Sequence, residues 1–244
     1  MKKLHWSLLK RLYRLQPRFG VYSRLKRRWL LDNRNWVDQQ IIIRRPYETG
    51  QLTRCRELIR QHDLGFFFDV GANFGLYSVL LADEPNLRTV IAFEPLPRNA
   101  DQFYANLFLN SLDDRIALRR FALSDREAEV ELFVDPVSTG VSTIVAGHAM
   151  TRPGVYERKV RVDMRVFDEE FPLVGVRALI KIDVEGAETQ VLSGMRRFLS
   201  NNVVFLQVET TSESRTRVDS LMEDAGYRSF GCLGADCYYT NEPA

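Results

Sequence analysis

The sequence predicts an α/β protein whose mostly parallel sheet is covered by helices on both faces. Two observations carry that prediction. From Phe66 onward short apolar runs alternate with helical patterns, and such alternation builds a parallel sheet in layers. Acids, Asp69 and Glu94, end the first two runs, at the carboxyl ends of strands where sheets of this kind hold ligands.

Element by element, residues 1 to about 31 read as helical in two pieces. Leu4, Leu8, Leu12 and Leu15 recur at helical spacing between basic residues. Pro17 and Gly20 end that piece, and a second basic stretch covers 21–31. A helix is expected over 47–62, ahead of the first strand at 66–70. Further strands are expected at 89–93, 116–123, 130–134, 178–182 and 203–208. The helices between them are expected to start at 76 and to cover 97–109, 187–199 and 215–225. The helix over 97–109 should bury Phe103, Leu107 and Phe108. Two strands, 228–232 and 236–240, should close as an antiparallel hairpin around Gly234. The chain thus divides into an extension, 1–46, and a main domain, 47–244.

Net charge is only +2 over 244 residues. Residues 1–34 hold eleven Lys or Arg and one acid, Asp32, so the head is about +10 and the remainder about −8. By charge the main domain is not a nucleic-acid binder. The head either packs on its own domain or a partner, or lies on an anionic membrane surface. No segment has the roughly 18 apolar residues of a membrane span. Lys10, Arg11 and Arg14 interrupt what would be the core of a signal peptide. Cys55, Cys232 and Cys237, an odd number, read as reduced thiols of a cytoplasmic protein.

The stretch FFFDVGANFGLYSVLL sets Asp69 at the end of a strand and Gly71 and Gly75 in the turn that follows. Glycine permits close approach of a ligand, and the next helix offers free N–H groups. A P-loop is absent, because no Gly-Lys-Ser/Thr follows. Of the three glycines of a dinucleotide fingerprint only Gly71 is present. Glu94, at the next strand tip, suits the two hydroxyls of a ribose. Ribose without pyrophosphate, beside an acid at a glycine turn, points to S-adenosylmethionine, with Asp69 near its amino-acid end.

The pieces FDVGANFGLYS, IAFEPLPRN, ALSDREAEVELFV, VDMRVFDEEF and IKIDVEGAETQVLSGM together resemble the FkbM-type family of S-adenosylmethionine-dependent methyltransferases. The resemblance covers roughly residues 64–210. It implies the seven-stranded class I methyltransferase (Rossmann-like) fold and methylation of a hydroxyl on a sugar, glycan or natural product. By the same resemblance Asp69, Gly71, Ala72, Asn73 and Gly75 form the cofactor loop. Glu94 is the ribose acid, and Ser124 and Asp125 lie near adenine. The basic head lies outside the matching region. Methylation of nitrogen, or a silent binding scaffold, are the alternatives. Asp183-Val184-Glu185-Gly186 stands where many amino-methylating enzymes of nucleic acids carry Asn/Asp-Pro-Pro-aromatic.

Methyl transfer to oxygen needs an aligned acceptor and a place for its proton. Lys181 and Asp183 share a side at the end of the fourth core strand, and Asp183 is the first candidate for a base. Lys181 fits an ion pair with a neighbouring carboxylate. Glu185 and Glu188 suit the start of the next helix. Glu209 ends the fifth strand beside Asp183. Such a pair either holds Mg²⁺ or shares a proton and yields one base of raised pKa; no metal ligand is assigned. His148, in the lid-like stretch STGVSTIVAGHAM, is a further candidate base.

Overall fold

The computed structural model describes residues 16–135, 138–145 and 158–243. The first expected helical piece and His148 lie outside the described residues.

A seven-stranded sheet forms the centre. In chain order its strands are β3 (Phe66–Val70), β4 (Thr89–Phe93), β5 (Ile116–Arg119), β9 (Arg177–Ile182), β10 (Val203–Glu209), β11 (Arg228–Leu233) and β12 (Asp236–Thr240). They lie in the spatial order β11-β12-β10-β9-β3-β4-β5. Six run in one direction, and β12 alone is antiparallel to both of its neighbours. The sheet is therefore mixed at one edge, where the expected hairpin sits. The carboxyl ends of β3, β4, β9 and β10 converge.

Alternate residues of the strands face two apolar layers. One gathers Phe67, Leu179 and Phe205 with helices α2 (Thr49–Gln61), α3 (Leu76–Leu81) and α4 (Pro97–Leu109). The other gathers Phe68, Ile180, Leu206 and Phe198, with α5 (Phe167–Glu170), α6 (Glu188–Ser193), α7 (Arg196–Asn201) and α8 (Ser212–Asp224). Phe68, Phe167 and Phe198 meet there edge-on, with centroids 5.0–5.4 Å apart.

The stretch expected to be a helix over 21–31 is a β-hairpin instead, β1 (Phe19–Arg24) and β2 (Arg27–Asp32). Its alternation buries Trp29 and Leu31 completely against the first layer. Trp29 meets Phe74 edge-on at 5.8 Å. The edge of β2 bonds to α4: Asn106 Oδ1 accepts from Leu30 N, and Gln102 Nε2 donates to Leu30 O. A short helix the sequence did not announce, α1 (Trp36–Ile42), follows, capped by Asn35, whose side chain accepts from Val37 N. The hairpin turns through Leu25 and Lys26, both at positive φ (52° and 60°), which Asn-Gly would adopt at less cost. Leu25→Asn with Lys26→Gly should raise stability by about 0.5–2 kcal/mol, read as a shift of the urea midpoint at constant slope.

Other expectations break at corners. The strand expected over 116–123 divides at Phe121: β5 stays in the main sheet, and β6 (Ala122–Ser124) enters a second sheet with β7 (Ala128–Val134) and β8 (Arg158–Val166). Phe121 packs on Phe93 at that corner, so apolar character runs on without a break. The helix over 187–199 is split at Gly194, where a Cβ would come within 2.1 Å of the Ser124 carbonyl oxygen. Phe108 is 71 % exposed, not buried. Cys232 and Cys237 are cross-strand neighbours joined by a disulfide, and only Cys55 is free. The reading of reduced thiols is overturned for that pair. Among the described residues no helix is long and apolar enough to cross a membrane.

Candidate active site

The converging strand ends enclose a cavity of about 330 Å³. Its walls include Gly71 and Asn73 after β3, Glu94 after β4, Phe121 and Leu123 at the corner, Asp183 after β9 and Glu209 at the end of β10.

The glycine turn is shaped by the protein itself. Gly71 (φ 84°) and Gly75 (φ 91°) both adopt left-handed torsions. A Cβ on Gly71 would stand 1.8 Å from the Asp183 carbonyl oxygen, and one on Gly75 2.2 Å from the Phe103 ring. The backbone thus approaches β9 and α4 as closely as any ligand. Ala72 is buried beneath the turn, and its N–H, like that of Gly71, donates to Phe93 O. Asn73, at φ 53°, donates its N–H to Glu94 Oε2 at 2.8 Å.

Glu94 holds the turn together. Its other oxygen, Oε1, accepts from Leu96 N at 2.8 Å. The Asn99 side chain bonds to the carboxylate as well, so of its roughly four lone-pair sites one is left for a ligand. Burial pushes the Glu94 carboxyl up to about 7, against the downward pull of the Leu96 and Asn73 N–H groups.

Asp69 faces elsewhere. Its Oδ2 accepts from the N–H and the hydroxyl of Ser78, at 3.1 and 2.7 Å, so it is a buried anchor for α3 rather than a cavity wall. Burial raises its pKa, and Lys181 opposes that. Ser124, also buried, donates to Asp125 Oδ1, and neither residue lines the cavity. The preceding residues of that segment do: Phe121, Ala122 and Leu123.

Lys181 and Asp183 meet as an ion pair, Nζ to Oδ2, at 2.8 Å, with Lys181 buried. Burial alone would lower the lysine pKa, but the Asp183 and Asp69 carboxylates outweigh it and hold it raised. Burial would likewise raise Asp183, and Lys181 together with a hydrogen bond to Glu209 brings it down. The neighbouring Asp183 charge, with burial, drives Glu209 strongly upward. The two carboxyls beside the Lys181 ammonium are thus driven apart, Asp183 downward and Glu209 upward, and they titrate as a unit. Among the described residues no group of three or more His, Cys, Asp or Glu is placed to hold a metal. Glu188 Oε1 accepts from Gly186 N, and Thr143 donates to the Glu185 carbonyl.

Residues around Lys181 extend this polar layer, and sequence reasoning missed them. Tyr77 lies under the ammonium, with Nζ 4.7 Å from the ring centroid. Its hydroxyl donates to Glu48 Oε2 and accepts from Gln207 Nε2. Glu48, Tyr47 and the exposed Trp36 complete the mouth of the cavity. No sequence pattern marked them: Trp36 falls within the expected extension, and Tyr47 and Glu48 open the helix expected over 47–62. The loop 138–145 covers the opposite side. Thr139 Oγ1 accepts from Asn35 and Arg98, and Gly140 lies against Asn73.

The strand order, with its one antiparallel strand, is that of class I methyltransferases, and the cavity sits where that fold places its ligands. Residues 69–229 match the family model described as the methyltransferase FkbM domain, and the chain belongs to that family. Relatives include "Methyltransferase 1" of Beauveria bassiana, 25 % identical over 72 % of this chain and 77 % of its own length. "Methyltransferase sdnD" of Sordaria araneosa is 29 % identical over 71 % of this chain and 77 % of its own. "Hexuronic acid methyltransferase AglP" of Haloferax volcanii is 26 % identical over 65 % of this chain and 61 % of its own.

Proposed function

We propose that the protein transfers a methyl group from S-adenosylmethionine to a hydroxyl oxygen of a sugar-like or other small hydroxylated acceptor. The observation that carries the reading is that Glu94 and the Asp183–Glu209 pair face one cavity. The cavity residues fit the cofactor: Glu94 keeps acceptor capacity for a ribose hydroxyl, and Phe121 with Leu123 offers an apolar wall to a base. S-adenosylmethionine, when bound, supplies a methyl group already activated on sulfur. The chain must then orient the acceptor, exclude water and receive one proton. Asp183, kept ionised by Lys181, accepts the hydroxyl's hydrogen bond, and the coupled pair takes its proton. Trp36 and Tyr47, edge-on at 6.0 Å, present aromatic faces at the mouth, where the C–H face of a sugar would rest. Likeness to a protein named for hexuronic acid supports an acceptor of that class.

Calorimetric titration with S-adenosylmethionine tests the cofactor half. The parent should bind, and no binding would overturn the reading. Glu94→Gln keeps one acceptor oxygen and loses the charge, so affinity should fall by about 1.5–3 kcal/mol. A pH series adds a sign. Ribose hydroxyls prefer the carboxylate, and Glu94 ionises near 7, so parent affinity should rise by up to about tenfold between about pH 6 and 8. The Gln variant should be flat over that range. Without ligand the sign is opposite for stability. A carboxyl raised above its ordinary 4.5 contributes fully below that pH, and its contribution is lost as pH climbs through about 7.

A further inference from the structure

A second cavity, of about 650 Å³, opens between the β1–β2 turn and the segment that leads into α2. Arg24, Lys26, Arg27, Arg28, Arg44 and Arg45 line it, and none of its described lining residues is acidic. Like charges gathered in a concavity repel one another and focus a strong positive potential. The backbone adds to that cost: Leu25, Lys26 and Arg44 all stand at positive φ, between 52° and 60°. Some of the cations are anchored, Arg27 by Asp83 at 2.5 Å and Arg24 by the Ile42 carbonyl at 3.0 Å. Lys26, Arg28 and Arg44 are exposed. Tyr47 is a wall of this cavity and of the candidate active site alike. One side chain thus borders both the cavity of the reacting pair and the cationic groove.

We propose that this groove is the anion subsite of the methyl acceptor. It takes a phosphate, diphosphate or carboxylate group, while the rest of the acceptor passes Tyr47 and presents its hydroxyl to Asp183 and Glu209. The assignment to the acceptor rests on the methyltransferase reading above; the anion site itself does not.

The probe is inorganic pyrophosphate, titrated calorimetrically into the full chain with and without saturating S-adenosylmethionine. Binding is expected in about 50 mM salt and should weaken several-fold in about 300 mM salt. Arg28→Glu with Arg44→Glu should lower pyrophosphate affinity at least tenfold. Cofactor affinity and melting temperature should be unchanged in that variant, and Arg28→Gln with Arg44→Gln should fall between. No binding by the parent, an affinity within twofold in the Glu variant, or displacement of the cofactor by pyrophosphate would overturn the subsite. Co-sedimentation with phosphatidylcholine vesicles, with and without phosphatidylglycerol, separates the sources of the anion. Pelleting that the Glu variant loses assigns a lipid-borne group, whereas pyrophosphate binding without pelleting assigns a soluble acceptor, and each supports the site. A parent that binds pyrophosphate through Arg28 and Arg44 but no S-adenosylmethionine would sink the methyltransferase reading and leave an anion site without its acceptor.

Discussion

Asp183→Asn should lower turnover by about 10²–10⁴-fold, the range for a positioned proton acceptor, with S-adenosylmethionine affinity kept within about threefold. The amide retains the shape and one acceptor oxygen, so the cavity survives. What is lost is the charge that Lys181 meets at 2.8 Å and that drives Glu209 upward. Glu209 should then return toward the ordinary carboxyl range, and the pH–rate profile should move with it. That movement distinguishes loss of the pair from mere distortion of the strand end. Lys181, buried, is left with Asp69 and the weaker influence of Asp236 to support its charge, so a modest fall in melting temperature is also expected. Turnover within a few-fold of the parent, measured with any acceptor that gives a labelled product, would remove Asp183 from the chemistry.

Gly71→Ala should cost fold rather than function alone. A Cβ there would sit 1.8 Å from the Asp183 carbonyl oxygen, in a torsion of φ 84° that side chains avoid. Backbone strain of about 1–3 kcal/mol and overpacking of about 1–3 kcal/mol add. At about 2–4 °C per kcal/mol for a chain of this size, melting should fall by roughly 5–20 °C. Cofactor binding should weaken with it, because the turn and the end of β9 must separate. Gly175→Ala is a control: it has positive φ too, but nothing lies within 4 Å of the added carbon, so only the torsional part should appear. Equal melting of the two variants would show that the close approach to Asp183 is not what matters at Gly71.

How far the sequence could be read follows from these cases. Acids at strand ends were legible, because an apolar run that stops at Glu94, Asp183 or Glu209 marks both the strand and its tip. The sheet's central strands came through for the same reason. The glycine turn was legible as a turn but not in its partner, since the clash that excludes Cβ comes from residue 183, far along the chain. Asp69 shows the same limit: whether a strand-end acid faces a cavity or caps a helix depends on Ser78 and the tilt of α3. The hairpin at 19–32 was misread because basic residues at alternate and at helical spacing look alike over so few positions. β8 went unseen although Val160, Val162, Met164 and Val166 alternate with polar residues as a half-buried strand does, because only continuous apolar runs marked the core strands. Tyr47 and Trp36 carried no pattern at all; a chain that loops back over the sheet brings them to the site.

The pairing of strands also decides whether the site exists. Asp69, Lys181, Gln207 and Tyr238 stand side by side on β3, β9, β10 and β12, one level of the sheet. They face the layer of Phe67, Leu179 and Phe205. If β9 slipped by one residue, Lys181 would turn into the opposite layer, among Phe68 and Ile180. There its ammonium would have no carboxylate, at a cost of several kcal/mol. The same slip would move Asp183 away from Gly71. Misregistered sheets are thus penalised by the very charges that equip the enzyme, so a chain that folds with its core strands paired has also assembled its chemistry.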